Sequence, residues 1–399
     1  MRIFFSAGEP SGDQHSAILV DELRARDPDL HVEGFGGPEM REHGCQLLFE
    51  LTNLAVMGFL RVLPLISQFR RLVKQAERHF DENKIDAVIL VDFPGFNWWI
   101  ARAAKKRGIP VFWYLPPQLW AWAGWRIRRV RKWVDHVLCA MPFEFNWYRR
   151  QGVRASWVGH PFFDQVAKRP LDQTIVEKLK GTPSSRVVAL LPGSRNHEID
   201  KNWPVMLQVI HQVSHRVPET RWIVGNYRPE HEQKCRRLQN TLGLSAHLHY
   251  LSGHTSEVIE AADCCFMVSG SISLELLARR KAGVVLYRVP KIGHMISWFL
   301  MKCRFITLTN LMADDELMPE FISSGDPTPA IQNMSRQLIR WLTDPESLES
   351  KVKTLSLLAD QTATTGATAR AAELIISELM ASRKSSVKPS AESETRRVA

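Results

Sequence analysis

The amino-acid sequence predicts an α/β fold made of two successive doubly wound parallel sheets, and three observations support this prediction. The length of 399 residues suits two domains of about 100 to 200 residues each. Short apolar runs typical of strands alternate with longer segments that have the pattern of helices. This alternation starts afresh near residue 186. We therefore expect one sheet in each half of the chain.

Six apolar runs predict the strands of the first sheet, with helices between them. The predicted strands are 2–6, 31–35, 87–91, 111–114, 136–140 and 155–158. The helices are expected to begin near Asp13, Pro38, Pro64, Phe96, Trp125 and Pro142. The second sheet is predicted from the runs 186–191, 221–224, 248–251, 263–268 and 283–287.

Turn-forming residues predict the domain boundary between Gly159 and Ser185. This stretch contains His160-Pro161, Arg169-Pro170 and a Gly-Thr-Pro-Ser-Ser run, which have the chemistry of turns and linkers. We expect domains at 1–165 and 166–380. Residues 381–399 hold almost nothing apolar, so we expect a disordered basic tail there.

Composition indicates a folded globular protein with reduced thiols. Hydrophobic residues make up 45% and charged residues 24% of the chain, which is enough for a sizeable core. The six cysteines form no CxxC pair, so zinc binding and disulfide redox chemistry are not indicated. The first residues enter a strand-like run without a secretory signal pattern, so we expect a cytoplasmic protein. No run of about 18 apolar residues predicts a membrane span.

A formal net charge of +10 leaves four interpretations open: solvated helix faces, anionic lipid, a phosphorylated substrate or nucleic acid. Basic residues cluster at Arg70–Lys74, at Arg126–Lys132 and around Arg383. They are spread over both halves, and no nucleic-acid-binding module is recognised. We therefore expect no nucleic acid partner.

Ligands of open α/β sheets bind outside the carboxyl ends of the strands, and the first such loop is Ala7-Gly-Glu-Pro-Ser-Gly-Asp13. Its glycines allow a ligand close to the backbone at the start of a helix. The candidate binding residues are Gly8, Glu9, Ser11, Gly12 and Asp13. A tight turn with an ordinary cap from Ser11 or Asp13 is the alternative. The loop is not GxGxxG, so a dinucleotide is not expected.

Asp92 follows a predicted strand and is followed by Pro, Gly and aromatic residues. Partial desolvation at a strand tip raises the pKa of a carboxyl group toward the working range of a general base. Asp92 is therefore the candidate base, with a helix cap as the alternative.

Trp120 and Trp122 follow the next strand and predict an apolar wall for a sugar face or an acyl chain. Packing at a domain interface is the alternative for these two tryptophans.

Two loops of the second half have the composition of a nucleotide diphosphate site. In the first loop, Arg195 follows Gly193 and Ser194, and its guanidinium can pair with a diphosphate. In the second loop the small residues Ser269, Gly270 and Ser271 precede a helix, where backbone N–H groups bind phosphate. Glu275 lies one turn into that helix and can accept hydrogen bonds from ribose hydroxyls. A surface turn and simple helix capping are the alternatives.

These motifs together resemble the lipid-A-disaccharide synthase family, from Arg2 to about Leu379. Several separated motifs carry the resemblance in the same order along the chain. They are Gly8–Asp13, Leu54–Gly58, Asp92–Asn97, Trp120–Trp122, Pro142–Glu144, Gly159–His160, Leu191–Arg195, Ser269–Gly270 with Glu275, Tyr287–Arg288, and Asn310–Leu311.

The resemblance implies an inverting glycosyltransferase of the GT-B type, with two Rossmann-like domains facing a central cleft. The implied reaction joins UDP-2,3-diacylglucosamine to 2,3-diacylglucosamine 1-phosphate and releases UDP, without a metal or other cofactor. The implied catalytic residues are Asp92, Arg195 and Asn310. Arg288 joins the nucleotide-binding residues of the second half. The implied acceptor or lipid contacts are Met57, Trp120, Trp122, Trp298 and Phe299.

The acylated substrates imply a peripheral protein on the cytoplasmic face of the inner membrane. The segment Ile292–Arg304 mixes apolar and basic side chains and can lie on anionic lipid, although a buried helix explains it too. Association into a homodimer is compatible with this interpretation. The chain departs from the family pattern at Arg61, Gly95, Ala123 and Thr309, mostly on the acceptor side.

Three other functions remain open from the sequence. A UDP-N-acetylglucosamine 2-epimerase and a peptidoglycan N-acetylglucosaminyl transferase share the fold, but the Gly8–Asp13 loop lacks the glycine-rich form expected of the transferase. A catalytically inactive relative that only binds its ligand is the third. The joint presence of Asp92, Arg195, Glu275 and Asn310 favours an active enzyme.

Overall fold

The computed structural model describes residues 1–55, 62–182, 185–243, 246–268, 270–288 and 303–386. These residues form two compact units. Unit 1 comprises Met1–Leu119, Gly124–Pro161 and the described part of Gly366–Ala399, and unit 2 comprises Trp120–Ala123 and Phe162–Thr365. Each unit contains one parallel sheet, so the predicted fold class is confirmed.

The sheet of unit 1 has seven parallel strands in the order β3-β2-β1-β4-β5-β6-β7. They are β1 Arg2–Ala7, β2 His31–Gly36, β3 Gln46–Glu50, β4 Ala87–Val91, β5 Val111–Tyr114, β6 His136–Cys139 and β7 Ala155–Trp157. Ile3 of β1 pairs with Val32 on one side and with Ala87 on the other. The strand order therefore reverses at the carboxyl ends of β1 and β4, where open sheets bind their ligands.

Helices flank this sheet, and four of them begin with a proline. They are α1 Pro10–Arg26, α2 Pro38–Glu42, α3 Thr52–Ala55, α4 Val62–Glu82, α5 Pro94–Lys105, α6 Ile127–Trp133 and α7 Pro142–Arg150. The ring of proline presets the φ of the first helical residue, whose N–H has no helical partner anyway. Every residue of β4 is buried, as expected for a parallel strand covered on both faces.

The sheet of unit 2 has six parallel strands in the order β10-β9-β8-β11-β12-β13. They are β8 Val187–Leu191, β9 Arg221–Asn226, β10 Leu248–Ser252, β11 Cys264–Val268, β12 Ala282–Arg288 and β13 Glu320–Ser323. Val188 of β8 pairs with Trp222 of β9 and with Cys264 of β11. The order of this sheet therefore reverses at the carboxyl ends of β8 and β11.

The remaining helices follow in chain order. They are α8 Pro161–Lys168, α9 Gln173–Leu179, α10 Asn196–Arg216, α11 Pro229–Leu242, α12 Thr255–Ala261, α13 Ile272–Ala278, α14 Leu308–Ala313, α15 Thr328–Thr343, α16 Pro345–Thr362 and α17 Ala367–Ser386. None of the described helices is long and apolar enough to cross a membrane.

The expected domain limits are wrong at the end of the chain, because α17 belongs to unit 1. Arg370 Nε donates to the Val158 carbonyl at 2.9 Å, and Glu378 Oε1 lies 2.6 Å from His136 Nδ1. The helix also runs to Ser386, past the predicted start of the disordered tail at Ala381. Arg383 donates to Asp86 Oδ2 at 2.8 Å, which anchors the last turns. Residues 387–399 of the predicted tail lie outside the described residues.

The sequence prediction missed the two edge strands β3 and β13. Both are short and begin with a polar residue, Gln46 or Glu320. Their side chains are only partly buried, because an edge strand has one neighbour. A short run without a continuous apolar pattern does not reach the level of a strand prediction.

Asp13 joins α1 to α2 and is almost fully buried. Its Oδ1 accepts hydrogen bonds from the N–H groups of Gly37 at 2.8 Å and Met40 at 3.1 Å, and its Oδ2 accepts one from Glu39 at 3.0 Å. Both oxygens are therefore used at the start of α2, where backbone N–H groups lack helical partners. Asp13 therefore has a structural role, and its predicted contact with a ligand stays a prediction.

We expect Asp13→Asn to destabilise unit 1 by about 2 to 3 kcal/mol, because a charged acceptor of several hydrogen bonds is replaced by an amide whose NH₂ faces N–H donors. Differential scanning calorimetry measures this change. Asp29→Asn is the matched control, since Asp29 is exposed. Equal thermal midpoints for the two variants would contradict the capping role.

Candidate active site

Asp92 and Phe93 form a strained turn at the carboxyl end of β4. Their φ angles are +45° and +41°, in the left-handed region that non-glycine residues rarely adopt. Such a conformation costs about 1 to 2 kcal/mol per residue and persists only when other contacts hold it. The turn ends in Pro94 at the start of α5. The contacts that hold it therefore decide where the Asp92 carboxylate points.

Asn97 holds this turn and joins the ends of β1 and β4. Its side chain is fully buried. Its Nδ2 lies 2.9 Å from the Asp92 carbonyl, 3.2 Å from the Val91 carbonyl and 3.1 Å from the Ser6 carbonyl. The Ser6 hydroxyl donates to Asn97 Oδ1 at 2.6 Å, which fixes the orientation of the amide. Asn97 is therefore a positioning residue for Asp92.

The environment of Asp92 suits a general base. Burial, with a smaller contribution from the negative charge of Glu9, raises the pKa of Asp92 to about 7. Asp92 as a whole residue is not fully buried in the fold. A base with this pKa is substantially ionised near neutral pH and still binds a proton well.

The first turn of α1 lies against the Asp92 carboxylate. A Cβ added at Gly12 would lie 3.5 Å from Asp92 Oδ2, and one added at Gly8 would lie 2.3 Å from the Phe93 ring. Gly8 is therefore required by the packing of Phe93, whereas Gly12 keeps the helix backbone close to the carboxylate. Glu9 and Ser11 are exposed and border the accessible side of this turn.

Glu198 closes the loop that follows β8 in unit 2. Its Oε2 accepts hydrogen bonds from the backbone N–H groups of Ser194 at 3.0 Å and Arg195 at 3.2 Å. Its Oε1 accepts one from Arg195 Nη1 at 2.9 Å. Gly193 has a φ of +116°, and a Cβ there would lie 2.8 Å from that of Glu198. Only glycine therefore fits this position of the loop.

The Arg195 guanidinium is available to an anion. Its side chain is 69% exposed, and its ion pair with Glu198 occupies only one edge of the group. The remaining N–H donors face solvent at the carboxyl end of β8. A guanidinium that is held on one side loses less conformational freedom when it binds a diphosphate on the other. The predicted role of Arg195 is compatible with this geometry and remains a prediction.

The loop after β11 is open at Gly270 and Ser271, which are both exposed. Glu275 is nearly buried in α13, and its Oε1 accepts a hydrogen bond from Arg279 Nε at 3.0 Å. Arg279 Nη1 in turn donates to Glu260 Oε2 at 3.0 Å. Within the described part of the chain, Glu275 Oε2 has no hydrogen-bond partner, so one oxygen remains for the predicted ribose contact.

Arg288 ends β12 and donates to two backbone carbonyls, those of Lys201 at 3.3 Å and Gly325 at 3.2 Å. These two hydrogen bonds use part of the donor capacity of the Arg288 guanidinium. Ser269 lies outside the described residues.

Asn310 has a structural role in the loop before β13, and its predicted catalytic role stays a prediction. It is fully buried. Its Nδ2 donates to the Met318 carbonyl at 2.7 Å and to Glu320 Oε1 at 2.9 Å. Its Oδ1 accepts from the N–H groups of Leu317 at 2.9 Å and Met318 at 2.8 Å. All four hydrogen-bonding positions of the amide are used within the fold.

The predicted lipid contacts are described only in part. Trp122 is 48% exposed and Trp120 is half-buried, and both belong to unit 2. Exposure of Trp122 is compatible with a wall for an apolar ligand. Met57, Trp298 and Phe299, together with most of the segment Ile292–Arg304, lie outside the described residues.

Sequence reasoning did not identify the residues that hold the candidate groups. Asn97 and Ser6 position Asp92, Glu198 holds Arg195, and Glu320 fixes Asn310. A signal for Asn97 was present, since it is a polar residue on the otherwise apolar buried face of α5. The partners of Glu198 and Glu320 could not be read from spacing alone.

Comparisons with known proteins agree with these features. Residues 3–386 match the family model described as Lipid-A-disaccharide synthetase. Lipid-A-disaccharide synthase 1 of Legionella pneumophila subsp. pneumophila is 32% identical over 383 residues, which cover 95% of this chain and 97% of that protein. Lipid-A-disaccharide synthase of Myxococcus xanthus is 34% identical over 376 residues, which cover 94% and 97%.

Solved structures with low sequence identity share the fold. The UDP-GlcNAc 2-epimerase from Neisseria meningitidis bound to UDP-GlcNAc has a TM-score of 0.60 at 13% identity, over 96% of this chain and 100% of that chain. A ugt transferase from Siraitia grosvenorii in complex with UDP has a TM-score of 0.56 at 13% identity, over 95% and 99%. The match along nearly the whole sequence is the stronger finding, and the chain belongs to the lipid-A-disaccharide synthetase family of glycosyltransferases.

Proposed function

We propose that the chain transfers the sugar of UDP-2,3-diacylglucosamine to the 6-hydroxyl of 2,3-diacylglucosamine 1-phosphate and releases UDP. Membership of the family supports the reaction class. The observation that carries the residue roles is the Asp92 carboxyl group at the carboxyl end of β4, whose pKa is raised to about 7 by burial. We assign acceptor chemistry to unit 1 and nucleotide binding to unit 2.

The reaction needs one base and one stabilised leaving group. The Asp92 carboxylate takes the proton of the acceptor hydroxyl, and the hydroxyl oxygen attacks C1 of the donor sugar. The bond from C1 to the β-phosphate oxygen breaks, and its electron pair leaves with UDP. Attack from the face opposite UDP inverts the configuration at C1. The oxygen charge that develops on UDP is stabilised by the N–H donors of Arg195.

Nucleotide binding is assigned to the two loops of unit 2. We assign phosphate binding to the exposed residues Gly270 and Ser271, and to Ser269 from its place in the sequence. Oε2 of Glu275 accepts a hydrogen bond from the ribose, while Arg279 holds the other oxygen. Gly193 and Ser194 shape the loop that carries Arg195. The acyl chains of both substrates favour a peripheral location on the cytoplasmic face of the inner membrane.

The direct experiment measures UDP release from UDP-2,3-diacylglucosamine in detergent, with and without 2,3-diacylglucosamine 1-phosphate, and with a metal chelator present. We expect acceptor-dependent release that survives chelation. Release that does not depend on the acceptor, or loss of release on chelation, would contradict the proposed reaction or its lack of a metal requirement.

We expect Asp92→Asn to lower kcat about 10²- to 10⁴-fold, the usual contribution of a general base. For the unmodified chain, kcat/KM should rise with pH and level off above about 7, because the raised pKa of Asp92 leaves the base protonated at lower pH. Glu9→Gln removes the nearby negative charge and should move this midpoint to lower pH. Glu82→Gln, at another exposed glutamate of unit 1, should leave it unchanged. If neither Asp92→Asn nor Glu9→Gln changes the midpoint of the pH profile, Asp92 is not the base.

We expect Asn97→Ala to lower kcat about 10²-fold with little change in either KM, because a displaced catalytic group loses rate rather than binding. Ser6→Ala removes only the hydrogen bond to Asn97 Oδ1 and should have a much smaller effect. Asn97→Asp places a second carboxylate beside the turn and should shift the acid limb of the pH profile upward. If Asn97→Asp leaves the pH profile unchanged while Asn97→Ala only lowers the amount of folded enzyme, Asn97 has no positioning role.

We expect Arg195→Ala to lower kcat about 10²- to 10³-fold, in the range found when one donor to a developing oxyanion is removed. Arg195→Lys should recover part of this loss, since it keeps the charge without the planar fork. The control is Arg216→Ala, which changes an exposed arginine at the carboxyl end of α10, the helix that follows Arg195. Steady-state kinetics with UDP as a competitive inhibitor separates the effects on nucleotide binding and on turnover. Turnover of Arg195→Ala equal to that of Arg216→Ala would refute the role of Arg195.

A further inference from the structure

Two tryptophans on neighbouring helices of unit 1 project into solvent. Trp99 of α5 is 54% exposed, and Trp125, just before α6, is 65% exposed. Large aromatic side chains are favoured where one end can be apolar and the other polar. Large aromatic side chains that are exposed on adjoining elements indicate an interaction surface.

Four exposed cations lie on the same two helices. Arg102 is exposed on α5, and Arg128, Arg129 and Lys132 are exposed on α6. We name this surface the α5–α6 face, and its members are Trp99, Arg102, Trp125, Arg128, Arg129 and Lys132. The face points outward because the opposite side of α6 is buried through Ile127 and Val130.

The face is continuous across the two helices. The Arg129 guanidinium lies 5.9 Å from the ring centre of Trp98 on α5 and 5.8 Å from that of Trp125. Trp98 is buried and directly precedes the exposed Trp99. Arg129 therefore spans the seam between α5 and α6, where its cation is attracted to both aromatic rings.

The face carries positive charge without compensation. Residues 124–134 contain five basic and no acidic residues. Of the neighbouring carboxylates, Asp135 pairs with Lys105 at 2.6 Å and Asp81 pairs with Arg107 at 2.6 Å. Within the described residues, none of the four cations of the face forms an ion pair. Uncompensated cations beside exposed tryptophans are complementary to a surface with anionic headgroups above an apolar layer.

We infer that the α5–α6 face docks unit 1 on an anionic phospholipid surface. Trp99 and Trp125 lie at headgroup level, and the four cations pair with lipid phosphates. The inference rests on the proposed function, because diacylated substrates reside in a bilayer. It places the docking surface in unit 1.

Docking through this face has a mechanistic consequence for Asp92. The helix α5 begins at Pro94, two residues after Asp92, and Trp99 lies five residues further along. At about 1.5 Å per residue, Trp99 is roughly 8 Å along the helix axis from its start. Docking through this face therefore brings a lipid surface to the helix that begins beside Asp92.

The experiment measures partitioning of the full chain onto sedimenting vesicles of phosphatidylglycerol and phosphatidylcholine, compared with phosphatidylcholine alone. The triple variant Arg128→Glu/Arg129→Glu/Lys132→Glu should partition about 100-fold more weakly onto the anionic vesicles. Trp99→Ser/Trp125→Ser should also weaken binding, and its effect should persist at high salt. The matched control Lys178→Glu/Arg216→Glu/Lys353→Glu changes exposed residues of unit 2 by the same net charge and should bind as the unmodified chain does.

Three results would overturn the inference. The first is the absence of partitioning of the unmodified chain at low salt. The second is an equal loss in the control, which would indicate a response to net charge alone. The third is binding of random single-stranded RNA that depends on the face when binding to vesicles does not. Turnover in detergent separates this test from the proposed function, because the face variants should keep the kcat of the unmodified chain there. Absence of turnover in detergent by every form would count against the function and not against docking.

Discussion

The hydrogen bonds of Asn97 join the two central strands of unit 1 and hold the backbone of Asp92 in its strained turn. A fully buried amide, fixed on one side by the Ser6 hydroxyl, satisfies carbonyls at the ends of β1 and β4. Without these bonds the left-handed residues 92 and 93 would relax toward more favourable backbone angles. Unit 2 uses a carboxylate in the same way, since Glu198 binds both the backbone and the side chain of the Gly193–Arg195 loop.

The fold class, the central strands and the order of the candidate loops could be predicted from the sequence, because buried parallel strands read as continuous apolar runs. The edge strands β3 and β13 were missed, whereas the other two edge strands, β7 and β10, were predicted, so having one neighbour does not by itself remove the signal. The return of α17 to unit 1 was also missed. Its partners, such as His136 and Val158, lie more than 200 residues earlier in the chain, and local pattern carries no information about such contacts.

The candidate site residues differ in how far the fold already uses their polar atoms. Asp92 is not fully buried and Arg195 keeps accessible donors, whereas Asp13 and Asn310 direct every polar atom of their side chains toward the backbone. The two kinds of residue are chemically alike, and a motif alone cannot separate them. Only the count of hydrogen bonds that each side chain makes within the fold distinguishes a group held for chemistry from one that holds a loop.

The return of α17 also makes unit 2 an insertion within unit 1, because segments of unit 1 precede and follow it in the chain. During synthesis from the amino terminus, α1 and the strands of unit 1 emerge first, whereas α17, which packs on α1, is made after unit 2. Unit 2 can complete its sheet and helices before unit 1 does. The side of α1 that α17 covers therefore remains exposed while about 200 further residues are added, and exposed apolar surface favours aggregation at that stage. Completion of unit 1 becomes the final step of folding and depends on an intact carboxyl-terminal helix.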